Sequence, residues 1–120
     1  MTALDEVVWV ELGVRARAIR RLSSTLDVFG THFPRFPVFP GVLVLDDMIE
    51  VARLAVGRSW ALAEVSRVRY RGYARPGDEL EIEAEVVSVG DDSAYCRAVV
   101  RIGAVQIATA REIVLRSVTP

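Results

Sequence analysis

Two stretches in the second half of the chain alternate between small or apolar residues and a second, mostly charged set. Over 78–89, Leu80, Ile82, Ala84 and Val86 alternate with Glu79, Glu81, Glu83 and Glu85. Over 94–102, Ala94, Cys96, Ala98, Val100 and Ile102 alternate with Tyr95, Arg97, Val99 and Arg101. A period of two puts one set on a covered face and the other in water, which predicts half-buried strands. Strands of similar length are predicted over 62–74 and 105–116. Turn chemistry separates them at Arg75-Pro76-Gly77-Asp78, at Gly90-Asp91-Asp92-Ser93 and at Gly103-Ala104. Upstream, residues 7–22 are rich in β-branched side chains and read as one further strand with Gly13 in its middle. There Val14, Ala16 and Ala18 alternate with Arg15 and Arg17.

The period changes over 41–57, the one long helical stretch, with Pro40 just before it and Gly57 as its stop. At about 100° per residue, Asp46, Glu50, Arg53 and Gly57 fall in a stripe roughly 60° wide. Asp47 stands to one side, and nearly every other position is apolar. So narrow a polar stripe predicts a mostly buried helix. Residues 23–40, with their Ser, Thr, Asp, Gly and Pro, read as loop. Strands joined by short turns predict an antiparallel meander. One strand, one buried helix and four strands then make an α+β fold, a single domain over 1–120 with a curved sheet wrapped on the helix.

Composition narrows the function classes. A length of 120 residues with 52% hydrophobic and 26% charged residues describes one globular domain. A net charge of −1 offers no global field for nucleic acid or membrane. All fifteen cationic residues are arginine, which we read as coding bias rather than function. Cys96 is the sole cysteine, so neither a disulfide nor a thiolate metal cluster is expected. Residues Met1–Glu6 carry no positive stretch, and no apolar run approaches the roughly 20 residues of a membrane span. A cytoplasmic location is the expectation.

Chemistry concentrates in His32-Phe33-Pro34-Arg35-Phe36-Pro37-Val38-Phe39-Pro40-Gly41, which holds the only histidine. Prolines at 34, 37 and 40 fix φ and remove backbone donors, so this must be a stiff loop. Such a loop, carrying an imidazole up to a helix N-terminus, has the makings of a proton-transfer site.

In this run the chain resembles the bacterial 3-hydroxyacyl-carrier-protein dehydratases of fatty-acid synthesis, which share the hotdog fold. Their pattern of His-Phe-Pro, two spaced prolines, Gly-Val-Leu and a carboxylate is filled by His32, Phe33, Pro34, Pro37, Pro40, Gly41, Val42, Leu43 and Asp46. A second match lies in Arg69-Tyr70-Arg71 and Pro76-Gly77-Asp78-Glu79-Leu80. The chain departs from the pattern at Thr31, where Gly is usual, and at Asp47-Met48-Ile49-Glu50, where Ala-x-Ala-Gln is usual. Asp46 itself follows the dehydratase-isomerase branch, other members having Glu. These departures suit a specialised polyketide or polyene pathway.

The resemblance implies loss of water from a 3-hydroxyacyl thioester on an acyl carrier protein. His32 would remove the C2 proton, and Asp46 would protonate the leaving hydroxyl. The Gly41 N–H would steady charge on the thioester oxygen. Phe33, Val38, Phe39 and Val42 would line an acyl tunnel. Glu50, paired with Arg53, would help keep the proton on Asp46. No cofactor or metal is implied. Arg67, Arg69, Arg71 and Arg75 are candidates for docking an acidic carrier, and Cys96 for a small core residue. The fold implies a homodimer or heterodimer, with His32 of one chain facing Asp46 of the other. The competing readings are a non-catalytic hotdog subunit of a heterodimeric dehydratase and, behind it, an acyl thioesterase.

Overall fold

The computed structural model describes residues 4–22, 39–57 and 59–118. His32, Phe33 and Val38 therefore lie outside the described residues. The described residues form six strands and one long helix: β1 (Glu6–Glu11), β2 (Arg15–Arg21), α1 (Gly41–Val56), β3 (Trp60–Tyr70), β4 (Glu79–Val89), β5 (Ser93–Ile102) and β6 (Val105–Ser117). The strands form one antiparallel sheet in the order β1-β2-β4-β5-β6-β3.

The alternation read from β4 and β5 holds. Leu80, Ile82, Ala84, Ala94, Cys96 and Val100 are buried against the helix. The glutamates of β4 face outward and meet arginines of the neighbouring strands: Glu83 pairs with Arg17 at 2.7 Å and Glu85 with Arg97 at 2.6 Å. The helix starts at Gly41 as expected. It stops at Gly57, whose φ of 139° is open to glycine and whose N–H donates to the Arg53 carbonyl at 2.7 Å. Val44, Met48, Val51, Ala52 and Ala55 fill the core. Its first turn is less covered than the narrow stripe implied, since Val42 is 64% exposed. Among the described residues no helix is long and apolar enough to cross a membrane.

Three expectations are corrected. The stretch 7–22 is a hairpin, not one strand. Gly13 sits in its turn at φ 82°, and its N–H donates to the Ala55 carbonyl at the end of α1. Val14 falls in that turn and is exposed, while Ala16 and Ala18 face inward. The sheet is also not a simple meander. Only the β1-β2 hairpin and β4-β5-β6 run sequentially; β3 pairs with β6 at the edge, joined to β4 by a crossing connection. β3 also ends early, at Tyr70 rather than 74. Arg71 N–H still bonds Ile107, but Gly72 lies so close over Ile107 that an added Cβ would sit 3.2 Å from its Cγ2.

Candidate active site

The site is assembled around the first turns of α1. Pro40 occupies the cap position and has no side chain that could bond the helix, and the first turn holds no acidic residue. The N–H groups of Leu43 and Val44 turn back to the Pro40 carbonyl at 3.0 and 3.3 Å, whereas those of Gly41 and Val42 have no partner within the helix. They form a positive helix end that no side chain caps among the described residues.

Tyr70, at the end of β3, closes one side of that end. Its hydroxyl donates to the Gly41 carbonyl at 2.9 Å. A Cβ added to Gly41 would lie 3.2 Å from the Tyr70 ring, so glycine permits the contact. The Tyr70 hydroxyl is pushed up from its ordinary pKa by partial burial and by the nearby Asp46 carboxylate. Asp46 is itself exposed. The structure thus brings Gly41, Val42, Asp46 and Tyr70 together on an open surface. Tyr70 was visible in the sequence only as part of Arg-Tyr-Arg; an aromatic at the end of a strand near the Pro-Gly-Asp turn was the available signal.

One turn further along, Arg53 pairs with Glu50 at 3.1 Å as expected, and its Nε donates to the Trp60 carbonyl at 2.8 Å. That bond ties the helix to the start of β3. Phe39 is 4% exposed and packs in the core, its ring facing the Arg20 guanidinium at 4.6 Å. Cys96 is buried too, its thiol pushed up to about 11 by burial, which suits an inert core side chain.

Sequence reasoning missed Asp47, the one buried charged residue among the core side chains described, at 4% exposure. Arg20 approaches it, Nε to Oδ2 at 3.4 Å. Burial pushes the Asp47 carboxyl up to about 7; Arg20 opposes this, and the charges of Asp46, Asp5 and Glu50 add to it. The signal was present. Ala16, Ala18, Arg20 and Leu22 share one face of β2, so Arg20 stands in an inward register, opposite Leu80. A cation at a covered position calls for a buried anion.

The arginines proposed for docking lie elsewhere. Arg67, Arg69 and Arg71 line a groove of about 690 Å³ with Arg97, Arg111 and Glu85. Arg69 and Arg71 alternate with Tyr70, so they point away from Gly41. Arg75 lies in the Pro-Gly-Asp turn, its N–H bonded to the Asp78 carboxylate at 2.8 Å. Among the described residues no cluster of three or more His, Cys, Asp or Glu side chains could hold a metal ion.

A six-stranded antiparallel sheet curved around one helix is the hotdog fold, and solved structures align with it across nearly the whole chain. An uncharacterised protein of Pyrococcus horikoshii superimposes with a TM-score of 0.79 at 14% identity, covering 98% of this chain and 85% of its own. The dehydratase heterocomplex ApeI:P from Xenorhabdus doucetiae gives 0.72 at 21% identity, covering 86% and 88%. Residues 12–101 match the ApeI-like family, described as ApeI dehydratase, and the chain belongs to that dehydratase family. Among curated relatives, the 3-hydroxyacyl-(acyl-carrier-protein) dehydratase FabZ of Caldicellulosiruptor bescii is 33% identical over 103 residues, 80% of this chain and 74% of that protein. FabZ of Bacillus cereus is 34% identical over 93 residues, 72% of this chain and 65% of its own length. The chain thus spans about two thirds to three quarters of the length of these relatives.

Proposed function

We propose that this chain removes water from a 3-hydroxyacyl thioester carried by an acyl carrier protein, giving the trans-2-enoyl thioester for fatty-acid or polyketide synthesis. His32 takes the C2 proton, and the electron pair moves into the C2–C3 bond as the C3–oxygen bond breaks. Asp46 gives its proton to the departing oxygen, so water leaves; the imidazolium and carboxylate then exchange protons with solvent. The Gly41 and Val42 N–H groups receive the thioester oxygen as charge builds on it. Val42, with Phe33 and Val38, lines the acyl path, while Phe39 anchors the loop. Glu50 and Arg53 support the helix face behind Asp46. No cofactor takes part.

The observation that carries this reading is the N-terminus of α1, which has no side-chain cap from Pro40, with Asp46 and Tyr70 beside it and the histidine-proline run directly preceding it in the sequence. The same surface supports a dimer. Val42, Asp46 and the partly exposed Tyr70 present an open half-site, and His32 of a partner chain would complete it. The carrier is inferred from the name that the curated relatives bear.

The test is to incubate the purified chain alone with 3-hydroxyacyl thioesters and follow loss of water by mass spectrometry. Turnover in the wild type, abolished in His32→Ala and Asp46→Asn, is the expected result. An inactive chain that becomes active only with a second hotdog subunit would instead assign it the scaffold role in a heterodimer.

A further inference from the structure

Three elements meet at one buried cation. Arg20 reaches inward from β2, with only 12% of its side chain exposed. On one side it approaches Asp47 in the second turn of α1, Nη1 to Oδ1 at 3.5 Å and Nε to Oδ2 at 3.4 Å. On the other, its guanidinium lies over the Phe39 ring, 4.6 Å from the centroid. Phe39 is the first described residue of the histidine-proline run, two positions before Gly41. Its N–H donates to the Ala74 carbonyl at 2.7 Å in an isolated antiparallel bridge. The loop bearing Ala74 is in turn fastened to the end of β2, through Gly77 N–H to Leu22 at 2.6 Å and Leu22 N–H to Asp78 at 2.9 Å. After Phe39, Pro40 allows little freedom, so the place of Phe39 sets the place of the Gly41 N–H.

A buried ion pair is a poor way to gain stability, and an apolar pair of similar volume would fill this space at least as well. Its contacts are also longer than a tight charge-assisted hydrogen bond of about 2.7–2.9 Å. What an apolar pair lacks is a flat, charged surface that grips an aromatic ring while being aimed by a helix carboxylate. We propose that Arg20, aimed by Asp47, is a positioning residue. It clamps Phe39 and so holds the end of the histidine-proline loop in register with the helix N-terminus and Asp46. This rests on the dehydratase reading for its effect on rate, but not for its effect on the loop.

Arg20→Lys separates the roles, because lysine keeps the charge against Asp47 and loses the flat face over Phe39. The expected result is a melting temperature close to wild type, KM within about twofold, and kcat lowered about 10- to 100-fold. Phe39→Leu should reproduce the kcat loss, and the double variant should be no slower than the worse single one. Hydrogen exchange gives the readout that needs no activity: the hydrogen-bonded amides of Phe39, Leu43 and Val44 should exchange faster in Arg20→Lys while those of β4 and β5 do not change. Full turnover with unchanged exchange at Phe39, Leu43 and Val44 in Arg20→Lys would overturn the inference. So would a loss of turnover matched by a general loss of protection. If the wild type itself shows no turnover, the dehydratase reading fails, and the exchange pattern alone still decides the clamp.

Discussion

Asp47 and Gly41 are the two residues whose environments most constrain what the chain can do. The carboxyl of Asp47 sits at about 7 in the fold against about 3.8 for a free aspartate, so the folded protein holds its proton more tightly than the unfolded chain. The resulting stabilisation is complete below the unfolded value and is lost as pH rises through about 7. The groups that act on it are Arg20 from β2, Asp5 ahead of β1, and Asp46 and Glu50 on its own helix. Asp47→Asn removes the titration. Its stability relative to wild type should therefore improve by roughly 2–3 kcal/mol between pH 5 and pH 8. Paired thermal melts across that range check this; parallel curves would mean the carboxyl does not titrate there. The constant offset between the two proteins is a separate quantity, set by what the amide offers Arg20. At Gly41, alanine would gain helix propensity but press on the Tyr70 ring at 3.2 Å. Gly41→Ala should keep its melting temperature within a few degrees and lose turnover, since Tyr70 and the helix start must move apart. Tyr70→Phe, which keeps the ring and drops the bond to the Gly41 carbonyl, should be milder. Equal turnover in wild type and Gly41→Ala would remove this close contact from the mechanism.

At the scale of elements, the β1–β2 hairpin ties the end of α1 to the sheet. Gly13 holds φ 82° in open space, with nothing within 4 Å of an added Cβ, so a substitution there is felt only through the backbone. Gly13→Ala should cost about 1 kcal/mol, and Gly13→Asn less, because asparagine enters the left-handed region more readily. Urea unfolding of both variants measures the difference. Equal costs would place the effect in the Gly13 N–H to Ala55 contact instead. Most element boundaries were legible beforehand: α1 begins and ends at the Pro40 and Gly57 signals, and β4 and β5 match the alternation to within a residue or two. The hairpin was not, because β-branched residues flank Gly13 on both sides and no hydrophilic break marks the turn.

For the whole molecule, the position of β3 matters most. As an edge strand, β3 ends at Tyr70 beside the helix start and has no strand on its outer side among the described residues. An exposed Val42 and an open Asp46 next to that edge fit a site completed by a second copy or a related subunit. The expected assembly is a dimer by sedimentation. Mixing His32→Ala with Asp46→Asn chains should restore activity at one of the two sites of each mixed dimer. Proven subunit exchange without recovered turnover would rule out a shared site.

By itself, the sequence determined the fold class, the helix with its caps, the inward faces of the strands, and the run of residues from His32 to Asp46 that marks the family. Each of these depends on local period or local turn chemistry, and such signals are written in neighbouring residues. Only the tertiary structure decided that β3 pairs with β6, that residues 7–22 fold back on themselves, that Tyr70 closes over Gly41, and that Arg20 and Asp47 meet inside. Apart from the hairpin, those outcomes join residues far apart in the chain, 27 positions in the case of Arg20 and Asp47. Whether a charge is buried, and which strand finds an open edge, is settled by the packing of the whole domain, which no local pattern contains.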